Sequence, residues 1–218
     1  ELVSSGWSLK RIHRLILTSR TWRQSSLPRS EALAVDGGSR WLWRFPPRRL
    51  EAEAIRDNIL RAAGTLDTRM GGPGFSGFEV EEENVRHYHP KTAYGPGDWR
   101  RMLYMAKVRQ EREATFGVFD CPDFNQTVPS RSRSTTPLQS LSLLNSQFVL
   151  QQAWQLAKRL RCEAGADPAA QVTRAWQLAL GRKPTRDELS DASRLVAEQS
   201  LDAFCRALFN ANEFLFLP

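Results

Sequence analysis

Cysteine and long apolar runs are both scarce in this chain of 218 residues. The three cysteines, Cys121, Cys162 and Cys205, lie far apart, and none belongs to a C-x-x-C or C-x-x-C-H pattern. This spacing argues against a structural zinc site and against a covalently attached haem in this segment, and it predicts buried free thiols. No run of eighteen apolar residues and no charged leader with an apolar core is present, so we expect no membrane-spanning helix.

Three short motifs of common enzymes are also missing. The sequence contains no G-x-S-x-G elbow, no G-x-x-x-x-G-K-[ST] phosphate loop and no H-E-x-x-H zinc motif. A cysteine nucleophile would need one of only three histidines, and no spacing pairs them. The sequence therefore predicts none of the hydrolase, nucleotide-binding or metalloprotease chemistry that these motifs carry.

The overall composition is that of a folded protein with a basic excess. Hydrophobic residues make up 41% of the chain and aromatic residues 10%, which is ordinary for a globular domain. There are 31 basic and 24 acidic residues, and the calculated pI is about 9.8. This balance permits contact with an anionic surface, but the basic residues look scattered among acids, so a nucleic-acid partner is not implied.

The sequence after Pro46 and Pro47 predicts a helix at the centre of the fold. Helical spacing places one apolar stripe along it. The stripe comprises Ala52, Ile55, Ile59, Ala62 and Ala63. The two prolines fit the cap and first turn of this helix, and Gly64 fits its end. Leucines border a second, charged face, so we expect the helix to be covered on both sides and central to the fold.

The charged face of this helix has three interpretations. The favoured one is a structural ion network in which Glu53 reaches Arg49 one turn back and Arg56 one turn on. The second is a pocket in which Glu53 and Asp57, one turn apart, share a proton or hold a cation. The third is an anion clamp formed by Arg48, Arg49 and Arg56.

The remaining chain predicts an irregular, mainly α fold. Ser8 is the expected N-cap of a first helix, residues 70–98 form either a hairpin or a long exposed loop, and residues 101–108 favour a strand. Helix starts near residues 137, 146, 168, 185 and 200 predict a C-terminal bundle. We therefore predict one domain with a central charged helix, a small β element and a C-terminal helical bundle. Its segments are residues 1–64, an irregular loop and β region at 65–134, and the bundle at 135–218.

Two short patterns contain residue types that could hold a metal. His87 and His89 lie on the same side of an extended segment, where Glu81, Glu83 or Asp98 could complete a site. Solvated or hydrogen-bonded histidines are the favoured interpretation.

Asp120 and Asp123 form the second pattern. They lie in one turn with Asn125 and could hold a hard cation. The glycine and the distal glutamate of a calcium loop are missing, so a turn that bonds the local backbone is favoured.

Arg131 and Arg133 precede a helix N-terminus, where exposed amides and the helix dipole attract anions. If this loop folds toward Arg48, Arg49 and Arg56, a sulfate, phosphate or carboxylate site would result. The competing interpretation is that these arginines pair with the abundant acids.

Five stretches together resemble one family. They are GWSLKRIHRLILTSRTWRQSS, WRFPPRRLEAEAIRD, FDCPDFN, RSTTPLQSLSLLN and LFNANEFLF, in this order over nearly the whole chain. The resemblance is to the planctomycete-specific C-terminal domain of unknown function, the PSD type. The recurring motif of that family falls on Arg48, Arg49, Glu51, Glu53, Arg56 and Asp57.

The resemblance implies an exported or cell-surface setting in planctomycete-like bacteria, with haem c on another domain of the parent protein and no cofactor in this segment. It also implies a fragment that lacks the N-terminal part of the domain. It implies no activity. We expect a non-catalytic interaction or scaffold module of an extracytoplasmic multidomain protein, whose partners are other domains, cell-surface proteins or an acidic polysaccharide.

Two alternatives to a scaffold stay open. One is an enzyme or binding domain that acts on an acidic or sulfated glycan, with Glu53 and Asp57 as acid and base and with Arg49, Arg56 and Arg131 as anion binders. The other, less supported, is nucleic-acid binding through charge alone.

Overall fold

The computed structural model describes residues 1–109, 111–122, 124–125 and 127–217. Within these residues the chain is mainly α-helical with a few short strand pairs, so the predicted fold class is confirmed. It divides into two compact units. Unit 1 contains Glu1–Arg49 and the C-terminal strand, and unit 2 is Leu50–Leu215.

Unit 1 has little regular structure. It contains α1 (Leu9–Thr18), α2 (Ser30–Val35) and the antiparallel pair β1 (Arg48–Arg49) and β6 (Phe216–Leu217). Ser8 caps α1 as predicted, because its hydroxyl accepts the amide of Arg11. The ring of Trp43 packs against the guanidinium groups of Arg29 and Arg44. No apolar side chain among the described residues of unit 1 is buried; only Asp36, Ser39 and Arg49 are.

The central helix of unit 2 is α3 (Ala52–Ala63), and seven of its twelve residues are buried. All five residues of the predicted apolar stripe are among them, which confirms the interpretation of a covered helix. Gly64 ends the helix in the left-handed conformation, also as predicted. The predicted start at Pro46 and Pro47 is wrong. The backbone stays extended where β1 pairs with β6, and Glu51 is the N-cap.

The second half of unit 2 is a helical bundle that packs on α3. Its helices are α4 (Pro137–Asn145), α5 (Gln147–Ala164), α6 (Pro168–Ala179), α7 (Arg186–Glu198), α8 (Leu201–Phe209) and α9 (Asn212–Leu215). The long helix α5 contacts α3, α6 and α8, and its residues Phe148, Val149, Leu156 and Leu160 are fully buried. The helix starts predicted near residues 146, 168, 185 and 200 are confirmed, because the side chains of Ser146, Asp167, Thr185 and Ser200 accept backbone amides of the first turns.

Short strands and turns connect α3 to the bundle. β3 (Phe78–Glu82) and β4 (Arg86–Pro90) form the antiparallel hairpin, whereas β2 (Phe75–Ser76) pairs in parallel with β5 (Met105–Ala106). Of the two alternatives left open for residues 70–98, a hairpin or a long exposed loop, the structure has the hairpin. The strand predicted at residues 101–108 is mostly wrong. Met102–Tyr104 is a 3-10 turn, closed by the hydrogen bond from the Tyr104 amide to the Arg101 carbonyl.

The cysteines only partly follow the prediction. All three are free; Cys205 is buried, Cys121 is half-buried and Cys162 is exposed. Burial raises the pKa of the Cys205 thiol well above its ordinary value. Across the described residues, no helix combines the length and apolar character needed to cross a bilayer.

Candidate functional site

Glu53 lies on the charged face of α3 and binds an arginine from a distant loop. Arg131 donates from Nη1 to Glu53 Oε2 over 2.7 Å and to Glu51 Oε2 over 3.2 Å. Partial burial would raise the pKa of Glu53, but the hydrogen bond and charge of Arg131 outweigh it and hold this pKa below its ordinary value. Glu53 is therefore ionised at neutral pH, and its partner is Arg131 instead of the predicted Arg56.

Asp57 binds the start of the 3-10 turn Met102–Tyr104. Its Oδ1 accepts the amide of Met102 over 2.8 Å, and its Oδ2 accepts Nε of Arg101 over 3.0 Å. Asp57 and Glu53 thus bind different groups from different segments. This arrangement favours the predicted structural network over a pocket in which the two carboxylates share a proton.

Arg56 is the most deeply buried charged residue described, with 1% of its surface exposed. It donates to the backbone carbonyl of Arg100 over 2.7 Å and to that of Asp98. Its guanidinium group lies 4.8 Å from the ring centre of Phe75 and 4.9 Å from that of Phe148. Burial lowers the pKa of Arg56 to about 10, although nearby acids oppose this shift.

Arg100 and Glu113 are two interior charged groups that sequence reasoning did not single out. Arg100 donates to the carbonyls of Arg69, Gly71 and Pro73 and thereby fixes the glycine-rich loop after α3. The carboxylate of Glu113 accepts the amides of Thr115 and Phe116, and burial raises its pKa. Their partners are backbone atoms, which leave no signature in the sequence.

The other predicted arginines do not join Arg56 and Arg131 within unit 2. Arg48 and Arg49 belong to β1 of unit 1, where Arg48 is exposed and Arg49 is buried. Arg133 is exposed on the loop before α4. Of the predicted anion binders in unit 2, Arg56 donates to backbone carbonyls and Arg131 is already bound to two carboxylates.

The two histidines lie on the exposed strand β4. His89 Nε2 is 3.3 Å from Glu81 Oε2, and both side chains are 61% exposed. Across the register of the hairpin, His87 is opposite Glu81 and His89 is opposite Glu79. Over the whole described part of the chain, no three His, Cys, Asp or Glu side chains come close enough to hold a metal ion.

Asp120 binds the start of α4. Its carboxylate accepts the amide of Ser134 over 2.7 Å and the hydroxyl of Ser134 over 2.9 Å. The buried amide of Gln139 reinforces the same junction by donating to the Val118 carbonyl over 3.0 Å. Asp120 therefore joins two distant segments instead of closing only its own turn. Asp123, the other predicted oxygen ligand, lies outside the described residues.

Charge and exposed apolar area are concentrated in unit 1. Residues 1–49 contain ten basic and three acidic residues, a net charge of +7, whereas the rest of the chain has 21 of each. The basic excess is therefore not scattered, contrary to our reading of the sequence. Twelve large apolar side chains of this segment are exposed. They are Val3, Trp7, Leu9, Leu15, Ile16, Leu17, Trp22, Leu27, Leu33, Val35, Trp41 and Leu42.

We call these twelve side chains and the nine basic residues of this segment other than buried Arg49 the unit 1 surface. Sequence reasoning missed it because the charges were counted over the whole chain; a count by segment would have shown it. A surface of this kind offers what a binding surface needs: exposed apolar area and a net charge of one sign.

The comparisons with known proteins agree with the resemblance seen in the motifs. The PSD1 family model, described as "Protein of unknown function (DUF1553)", matches residues 1–196. Neither a curated protein nor a solved structure matches the chain.

Proposed function

Because this chain belongs to the PSD1 family of proteins of unknown function, we propose its role from its own residues: it is a non-catalytic interaction module of an extracytoplasmic, multidomain bacterial protein. Unit 2 is the folded scaffold in this proposal, and the unit 1 surface is the part that meets a partner.

One observation carries this proposal: every buried apolar residue described lies in unit 2, whereas the large apolar residues of unit 1 are exposed. Apolar side chains that stay exposed in such number within one segment are typical of an interaction site. Tryptophan and arginine, both abundant in residues 1–49, are also the residues that contribute most at interfaces.

The contacts of the central helix support the absence of catalysis. An acid or base needs a free carboxyl group facing a pocket that a substrate can enter. Glu53 is bound by Arg131, and Asp57 is bound by Arg101 and the Met102 amide. These bonds join α3 to two distant loops, as a structural role requires. The glycan-directed enzyme therefore has less support than the scaffold.

The cellular setting in this proposal rests on the family resemblance alone. It places the module outside the cytoplasm of a planctomycete-like bacterium, in a protein whose haem c is carried by another domain. Other domains of that protein, cell-surface proteins and an acidic polysaccharide are the candidate partners. In this scheme the haem is a neighbour of the module and not its cofactor.

Tryptophan footprinting tests the interaction. The isolated chain and the full-length natural protein in its cell-envelope fraction are exposed to hydroxyl radicals, and oxidation is read by mass spectrometry. We expect Trp7 and Trp41, which are 70% and 74% exposed, to be protected several-fold in the envelope. Trp154 of unit 2, which is 51% exposed, is the matched control and should not change. Equal oxidation of Trp7 and Trp41 in both samples would refute the interaction module.

A second assay addresses the enzyme alternative. The wild-type chain and its Glu53→Gln and Asp57→Asn variants are incubated with acidic and sulfated polysaccharides, and new reducing ends are measured. We expect no turnover by any of them. Turnover by the wild type that disappears in a variant with an unchanged unfolding midpoint would establish catalysis and overturn the proposal.

A further inference from the structure

We propose that α1 and the exposed tryptophans of unit 1 bind the surface of an anionic lipid bilayer. This inference rests on the proposed function of unit 1 as an interaction surface and names its partner. It follows from the geometry of α1, from the distribution of charge between the two units and from the exposure of large apolar side chains in unit 1.

The helix α1 is amphipathic, yet its apolar face is uncovered. At 100° per residue, Leu9, Ile12 and Ile16 lie at the centre of an apolar arc, with Leu15 and Leu17 at its edges. No residue of α1 is buried, and Leu9, Leu15 and Leu17 are each more than half exposed. From Leu15 to Leu17 this arc covers about 200° of the helix, with His13 inside it, and it is wider than the roughly 100° stripe that a surface helix presents to a protein core.

The opposite arc of α1 is cationic. Lys10, Arg11 and Arg14 lie together there, and among the described residues Arg11 is paired with Glu1 at 2.9 Å, whereas Lys10 and Arg14 have no acidic partner. A helix with basic residues on one face and leucine or isoleucine on the other lies in the plane of a membrane interface. Its apolar face then enters the acyl boundary, while the basic side chains extend to the headgroups.

The unit 1 surface extends this pattern beyond α1. Trp7 directly precedes the helix and Trp22 follows it closely, and both are exposed. Tryptophan prefers the level of the lipid headgroups, where its ring is partly in apolar surroundings and its N–H can be hydrated. The whole net charge of +7 also belongs to residues 1–49. An anionic bilayer attracts such a segment, and the charge-balanced remainder adds no net attraction.

Other occupants fit these observations less well. A second copy of this chain bound to the same surface would bring two segments of charge +7 together, and their like charges would repel each other. A groove on an acidic protein would cover one stripe of α1 and leave much of its wide apolar arc in water. A bilayer accommodates the whole arc because its interior is fluid.

Vesicle binding tests this inference directly. The full chain is mixed with vesicles of phosphatidylglycerol or of phosphatidylcholine, and the bound fraction is measured by sedimentation at low and high salt. We expect binding to phosphatidylglycerol that weakens with salt, and little binding to phosphatidylcholine. Absence of binding to phosphatidylglycerol at low salt, or equal binding to both lipids, would overturn the inference.

Matched variants separate apolar insertion from charge attraction. Leu15→Ser/Leu17→Ser should weaken binding to phosphatidylglycerol vesicles by about tenfold or more, because both leucines enter the bilayer. Leu138→Ser/Leu141→Ser is the control, since Leu15, Leu138 and Leu141 are each 55% exposed and Leu138 and Leu141 lie on unit 2. If both double variants bind equally well, insertion by α1 is refuted.

Charge is tested in the same way. Lys10→Gln/Arg14→Gln should weaken binding by about 25-fold, because each cation contributes about a factor of five near an anionic surface. Arg133→Gln/Lys183→Gln, which removes the same charge from exposed positions of unit 2, should change binding much less. If both double variants lose vesicle binding equally, the proposal that unit 1 binds the bilayer is refuted.

Two further measurements keep the outcome decisive. Circular dichroism and the unfolding midpoint report whether each variant is folded. Should one misfold, the wild-type tryptophans are tested with lipids brominated in their acyl chains, which quench only residues that enter the bilayer. Absence of this quenching would also overturn the inference. Protection of Trp7 and Trp41 in the cell envelope without any vesicle binding would refute the lipid partner and leave the interaction module standing.

Discussion

Replacement of Arg56 by methionine is the most informative test of how unit 2 is held together. Arg56 lies on the central helix with 1% of its surface exposed. It donates to the carbonyls of Asp98 and Arg100 and lies between the rings of Phe75 and Phe148. Met fills a similar volume and keeps the aromatic contacts, so Arg56→Met removes the charge and the donors without leaving a large cavity.

Two opposing effects decide how much Arg56→Met lowers the free energy of unfolding. Burial of a charge is costly, and replacement of a buried ion pair by apolar residues is often neutral or stabilising. The partners of Arg56, however, are backbone carbonyls, which no side-chain substitution removes. Each would lose a hydrogen bond to a charged donor, worth about 1.5–3 kcal/mol. We therefore expect Arg56→Met to lower the free energy of unfolding by about 3–5 kcal/mol.

Denaturant unfolding followed by circular dichroism measures this loss. Arg61→Met is the control, because Arg61 is exposed on the same helix and its replacement should change the free energy of unfolding by less than about 0.5 kcal/mol. Arg56→Lys, which keeps the charge but has fewer donors, should give an intermediate loss and remains measurable if the Met variant does not fold. A loss for Arg56→Met no larger than that for Arg61→Met would refute the reasoning.

Three further predictions concern pH and packing. Because burial raises the pKa of Glu113 above that of the unfolded chain, its contribution to stability is greatest at acid pH and falls as the pH rises through the folded-state pKa. The stability of the wild type relative to Glu113→Gln should therefore fall as the pH rises from acid toward neutral, and a rise in denaturant titrations would contradict this. The hydrogen bonds of Arg182 hold the pKa of Glu188 at about 2, below its ordinary 4.5, so the stabilisation is present at neutral pH and is lost in acid. Glu188→Gln should cost about 1 kcal/mol at about pH 7 and almost nothing near pH 2, and a cost independent of pH would refute this account. Gly117→Ala would place a Cβ atom 2.5 Å from the Glu113 carbonyl oxygen, whereas Gly97→Ala meets no atom within 4 Å. The first should lower the free energy of unfolding by about 1–3 kcal/mol more than the second, and equal melting temperatures would contradict this.

Local patterns predicted the helices well because local interactions set them. Ser146, Thr185 and Ser200 were recognisable as N-caps, since each is followed by apolar residues at helical spacing. The burial of Ile55 and Ile59 on α3 likewise followed from spacing alone. Even so, the start of α3 was misplaced, because the pairing that keeps its approach extended involves residues from the far end of the chain.

The ion partners were not predictable in the same way. Helical spacing pairs Glu53 with neighbours on its own helix, but its partner Arg131 is 78 residues away along the chain. Arg56 and Arg100 bind backbone carbonyls. Every residue has such a carbonyl, so these hydrogen-bond partners cannot be recognised from the residue types in the sequence. Periodicity also showed that α1 has an apolar arc, yet it could not show whether anything covers that arc.

The hydrogen bond between the Leu50 amide and the Leu215 carbonyl, 2.8 Å long, brings the first and last residues of unit 2 side by side. A domain whose two ends are adjacent can be inserted into a loop of another protein without a long linker on either side. Its own order can also be rearranged: a short linker across this junction and a new opening at an exposed loop would give a permuted protein with the same packing. Because its first and last residues are adjacent, unit 2 is suited to domain insertion and to circular permutation.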